Sequence, residues 1–122
     1  MEEFVILHHQ MLDDSPRPSH WDLMFQQQQE LLTWAIKSNP FEVFDQIPVR
    51  RLPNHRLEYL NYEGEISGGR GMVKQLAKGK FRWVAKQDLN NWTASLVLQA
   101  GSQCTVQLQD CQTISFSWKQ LE

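Results

Sequence analysis

The stretch His20–Gln27 (HWDLMFQQ) alternates: Trp21, Leu23 and Phe25 fall on one face of an extended chain, and His20, Asp22 and Met24 on the other. That is the period of a β-strand, and it sets an imidazole and a carboxylate side by side, because residues two apart share a face. Upstream, Glu3–His8 (EFVILH) is a short β-branched apolar run. The intervening residues 10–19 (QMLDDSPRPS) read as a polar loop, since Pro16 and Pro18 cannot donate to a ladder. Downstream, the glutamines Gln26–Gln29 turn the chain into a returning strand, Leu31–Lys37. Ser38–Pro40 then breaks it, and Phe41–Ile47 is expected to hold a short helix.

Beyond that break, Arg56–Tyr62 could be strand or irregular, and Ser67–Gly71 (SGGRG) is a glycine turn that needs a positive φ. Met72–Leu76 and Phe81–Ala85 read as a hairpin around Lys78-Gly79. Ala94–Gln99, Cys104–Gln109 and Thr113–Trp118 form a meander in which Gln, Ser and Thr mark a wet face. About eight short strands with almost no helical periodicity predict an all-β fold, a small closed or nearly closed β-barrel with a minor helix.

With 122 residues, 41% of them hydrophobic and 21% charged, the chain is expected to form a single domain over residues 1–122 with its own core. No apolar run reaches the roughly 18 residues of a membrane span, and the start MEEFVILHH is acidic, so a membrane protein and a secretory precursor are not expected. The expected location is cytoplasmic. Cys104 and Cys111 flank a hairpin turn where a bridge is geometrically possible, but free thiols suit a reducing compartment better.

Net charge is −2, yet it is unevenly spread. Residues 1–49 carry two basic and eight acidic groups, whereas residues 50–86 carry nine basic and three acidic ones. Such an asymmetry can make a local anion-attracting face, although solvated strand and turn positions would read the same way.

The candidate chemistry gathers around His20-Trp21-Asp22. Two histidines and a carboxylate can hold three positions of an octahedral ion such as Mn, Fe or Zn while leaving others open. By itself HxD is as readily a surface hydrogen bond. Its company adds weight: His8-His9 ends the preceding strand, and His55 lies beside Arg56 with Tyr59 further on, so a metal site could adjoin an anion site.

FVILHH, HWDLMF, LLTWAI, NHRLEYLNYEGEISGG and RGMVKQLAKGKF together resemble the 3′-phosphoesterase domain of bacterial DNA ligase D, block by block and in the same order, over roughly residues 4–83. The resemblance implies a compact β-barrel with a surface groove that binds a divalent metal, preferably Mn2+. It implies removal of a 3′-terminal ribonucleoside and then of the 3′-phosphate from nucleic-acid 3′ ends, in DNA repair. It also implies work alongside a separately encoded ligase or polymerase. By the same resemblance His9, His20 and Asp22 would hold the metal, while His55 and Tyr59 would meet the reacting phosphate. Glu63-Gly64 matches a Glu-Gly pair of the family, where a turn is as good a reading as catalysis.

Two departures stand out. The loop between the first two matched histidines is longer here, which leaves His8 as an alternative to His9. The family's arginine two positions after the aspartate is Met24, so Arg56 and Arg70 become the candidate phosphate-binding groups, with Arg50 and Arg51 further off. A catalytically impaired module that binds nucleic-acid ends is the alternative that Met24 suggests. A small-molecule oxygenase is disfavoured, because no glycine-led HxH block with a later Glu and His is present.

Overall fold

A computed structural model describes residues 2–119, and strand is the dominant structure: β1 (Glu2–Gln10), β2 (His20–Gln27), β3 (Glu30–Ile36), β4 (Ile47–Arg56), β5 (Gly64–Glu65), β6 (Met72–Lys86), β7 (Trp92–Leu98), β8 (Gln103–Gln109) and β9 (Thr113–Lys119). All pairings are antiparallel, in the order β1-β2-β3-β4-β9-β8-β7-β6, and β6 returns to pair with β1. Eight strands thus close a barrel, and the short β5 adds to β6 as an extra strand. Closure removes the open edges that a sheet of this size would otherwise expose.

The interior is filled from every barrel strand, with Phe4 and Ile6, Leu23 and Phe25, Trp34, Ile47, Phe81, Trp92, Val106 and Phe116 among its residues. A second, smaller apolar cluster sits on the opposite face of β1–β3. There Val5, Leu7, Met24 and Leu31 meet Val73 of β6 and Leu60 from a 3-10 turn at Leu57–Leu60. β1 and β2 are therefore buried on both faces in their middles, as their burial patterns show. The segment that covers the outer face is fastened to β6. The Glu63 carboxylate accepts from the Gln75 amide at 2.8 Å, and the Gln75 side chain donates to the Leu60 carbonyl at 3.2 Å.

Two local expectations need correction. Phe41–Ile47 is not a helix. Its loop runs alongside β9, where the Phe116 amide donates to the Phe44 carbonyl at 2.6 Å and Trp118 Nε1 to the Pro40 carbonyl at 2.8 Å. It completes what β4 leaves undone, because β4 and β9 pair only at Ile47↔Ile114 and Pro48↔Thr113. The only helical turn among the described residues lies instead at Leu57–Leu60. Lys78-Gly79 is not a hairpin turn either, for β6 runs unbroken through it. Gly79 is needed for a close crossing: a Cβ there would stand 2.0 Å from the Val97 carbonyl oxygen. The glycine turn at Ser67–Gly71 does have its positive φ, at Gly68, Gly69 and Gly71. Both cysteines are free thiols, and burial pushes the Cys104 thiol up to about 12.

Gly79→Ala is expected to cost about 2–3 kcal/mol, since the added methyl meets backbone that cannot swing aside. Urea denaturation checks this, and an unchanged midpoint would rule out the close crossing.

Candidate metal centre and the cleft around it

The outer face of β1 and β2 continues past the apolar cluster into polar residues. The odd positions of β1 run Val5, Leu7, His9, and the even positions of β2 run Met24, Asp22, His20. His9 and His20 are direct cross-strand partners. Pairing and alternation together bring His9, His20 and Asp22 into one cluster whose ligand atoms all lie within 4.8 Å of one another. His8 points to the other face and stacks on Trp21, with ring centroids 4.6 Å apart, so the ambiguity between neighbouring histidines resolves to His9.

Asp22 is 2% exposed. A buried carboxylate requires compensation, and here it faces only imidazoles. His20 Nε2 stands 3.1 Å from Asp22 Oδ1, and His9 Nδ1 is 3.7 Å from Oδ2. Neither contact is aligned as a hydrogen bond, and Oδ1 has no donor. Meanwhile the far nitrogen of each ring faces a backbone carbonyl, His9 Nε2 at 2.7 Å from Arg70 O and His20 Nδ1 at 3.2 Å from Pro18 O. A carbonyl can only accept, so those nitrogens carry the hydrogens, and the neutral rings turn their lone pairs toward Asp22.

Two lone pairs and a buried, donorless carboxylate oxygen make a donor set that calls for a cation. Metal bonds of about 2.1 Å set at right angles separate donor atoms by about 3 Å, close to the His20–Asp22 spacing. The carbonyls of Pro18 and Arg70 supply the outer orientation that metal-binding imidazoles require. The donor types therefore suit a divalent ion, and His9, 3.7 Å from Asp22, would have to draw closer to share it.

Without a cation a proton serves in its place. Contact with the Asp22 carboxylate raises the His20 pKa above its ordinary value, against the opposing effect of burial. For Asp22 burial is the largest influence and pushes upward, but the two imidazoles together outweigh it and hold the carboxyl below its usual range.

The triad forms one wall of an open cleft of about 470 Å³, and the other sequence-based candidates line the same cleft. His55, next to last in β4 and opposite Leu31, donates from Nδ1 to the Pro53 carbonyl at 2.9 Å, which leaves Nε2 as the free nitrogen. Tyr59 stands edge-on to it, with ring centroids 5.8 Å apart. Arg56 reaches Glu58 at 3.3 Å on the surface, and Arg70 turns its guanidinium onto Ser67, 2.8 Å from its carbonyl. Arg50 and Arg51 are not part of the cleft lining: Arg51 lies over the Trp34 ring, 5.3 Å from its centroid.

The basic segment does not converge on the cleft as a whole. Lys78 and Lys80 both approach Glu3, and Lys86 lies over Trp83. Met24, where the resembling family has arginine, is 1% exposed at the floor, beside Leu7 and Val73. Sequence reasoning missed Arg17, which also lines the cleft from the β1–β2 loop, and the two orienting carbonyls, which no side-chain pattern encodes. No protein-family model and no curated protein sequence matches this chain.

In the presence of a chelator, His20 is expected to titrate above 6.5 by NMR, and Asp22→Asn should abolish that elevation. Because the folded His20 pKa is raised, its stabilisation is complete below about pH 6.5 and fades as pH climbs through the folded value. Asp22, being lowered, contributes above its ordinary value near 3.8 and loses its contribution on acidification through its folded value. An unshifted His20 would show that the pair does not interact in solution.

Proposed function

We propose that this chain is a metal-dependent phosphoesterase acting on the 3′ ends of nucleic acid, removing a 3′-terminal ribonucleoside and then the 3′-phosphate in DNA repair. The observation that carries this reading is the meeting, in one cleft, of a two-histidine cluster around a buried carboxylate with a further imidazole, a phenol and arginines. The order of sequence blocks shared with the DNA ligase D phosphoesterase domain supports it further.

In this reading His9, His20 and Asp22 hold the metal, preferably Mn2+. Two neutral imidazoles and one carboxylate leave a divalent ion with net positive charge, suited to a phosphate. The ion supplies polarisation of phosphorus–oxygen bonds and acidification of a bound water. In the first reaction the bond from phosphorus to the terminal nucleoside's 5′-oxygen breaks; in the second, the bond to the primer's 3′-oxygen breaks and inorganic phosphate leaves. Each leaving oxygen needs a proton, for which His55 Nε2, the nitrogen not engaged by Pro53, is the donor in this reading, and water provides the new oxygen on phosphorus. Tyr59 donates a hydrogen bond to a nonbridging oxygen, and Arg56 and Arg70 offset the developing charge.

Among the described residues no helix is long and apolar enough to cross a membrane. From the resemblance we infer a cytoplasmic protein working with a separately encoded ligase or polymerase. A second reading, an end-binding module with impaired turnover, is favoured by Met24 within the apolar floor and by the pairing of Arg56 with Glu58.

Product analysis on a duplex primer bearing one 3′-ribonucleotide, and on one bearing a 3′-phosphate, separates the two readings. Manganese-dependent trimming that stops with EDTA and in His20→Ala is expected. Binding without product, at protein equal to substrate, would favour the end-binding module. His20→Ala should also weaken manganese affinity at least tenfold in calorimetry. In the wild type that affinity should fall as pH drops below the raised His20 pKa, since the proton competes for the same nitrogen.

A further inference from the structure

Three arginines line the cleft, and they differ in what their side chains already hold. Arg56 is engaged by Glu58, and Arg70 by the Ser67 carbonyl and hydroxyl. Among the described residues the Arg17 side chain has no hydrogen-bond or ion-pair partner. Its backbone, by contrast, is well fixed. Arg17 sits between Pro16 and Pro18, and a residue preceding proline is confined to extended conformations. The Arg17 amide donates to Ser15 Oγ at 3.2 Å, and the loop is pinned at its base by the Met11 amide donating to Ser19 Oγ at 3.0 Å. The next residue along, Pro18, gives the carbonyl that orients His20. A guanidinium on a stiff loop, uncommitted and one residue from the carbonyl that orients a candidate metal ligand, has the chemistry of an oxyanion clamp.

We propose that Arg17 is the phosphate-anchoring residue of the cleft, gripping the nonbridging oxygens of a terminal phosphate monoester, or of free phosphate, beside the His9/His20/Asp22 cluster. The assignment rests on the phosphoesterase reading for the identity of the anion. Arg56 and Arg70 would first have to give up their present partners, so they contribute less to binding. Lysine at position 17 keeps the charge but not the two-pronged geometry, and so retains only part of the grip.

The test is calorimetric titration, with manganese present, of inorganic phosphate, a 3′-phosphorylated oligonucleotide whose bridging 3′-oxygen is replaced by CH2 so that it is not turned over, and its 3′-hydroxyl counterpart. Wild-type protein is expected to bind both phosphate ligands and to prefer the phosphorylated end. Arg17→Ala should weaken phosphate binding about tenfold or more with manganese affinity and thermal midpoint unchanged, Arg17→Lys less, and Arg56→Ala and Arg70→Ala only a few-fold. If wild type prefers the phosphorylated end and Arg17→Ala binds it equally well, the assignment to Arg17 fails while the phosphoesterase reading stands. If wild type shows no preference for the phosphorylated end, both fail together.

Discussion

A carboxylate with 2% exposure constrains everything around it. Asp22 lies on a strand whose opposite face feeds the barrel interior, so it cannot rotate to water without unmaking β2. Its negative charge has to be met where it stands. The two imidazoles that meet it are in turn held by backbone carbonyls from separate loops, Pro18 and Arg70. The geometry of the cluster is thereby tied to the β1–β2 loop and the glycine turn as much as to the strands. The glycine turn can come so near because Gly71 lacks a Cβ, which would fall 2.0 Å from the Gln10 carbonyl oxygen.

Burial on both faces of β1 and β2 is what gives the cleft its character. Closed barrels usually show water their outer surface, but here the 3-10 turn and the chain following it roof over Val5, Leu7, Met24 and Leu31. The apolar floor ends where His9 and Asp22 begin, so charged chemistry borders a dry surface. Electrostatic attraction is stronger in such surroundings than in open water. The same roof carries Tyr59 and, at its entrance, His55.

Much of this was legible from alternation alone. HWDLMFQQ divides correctly into two faces, although the one with His20, Asp22 and Met24 is largely buried as well, and the last three strands fall close to where their patterning places them. The candidates His9, His20, Asp22, His55, Tyr59, Arg56 and Arg70 do line one cleft. What escaped has definite causes. β4 carries Pro48 and Pro53 among arginines and so shows no strand pattern, yet it pairs with β3 from Val49 on, and Pro53 falls within the register shift of that ladder. Gly79 looks like a turn residue because sequence cannot distinguish a glycine needed for its φ from one needed for its emptiness. Arg17 was hidden because a loop arginine has no periodicity to betray its direction.

The short ladder between β4 and β9 has a mechanical meaning. Two residue pairs, backed by the loop before β4, hold shut a cylinder whose other junctions are several times longer. Thermal breathing concentrates where the backbone hydrogen bonds are fewest. Parted along this line, the wall unrolls into a sheet ordered β4-β3-β2-β1-β6-β7-β8-β9, with His9, His20 and Asp22 near its middle. The protein can thus flex at its hem and let water reach the aromatic interior, while the strands that carry its charged centre stay laced to one another.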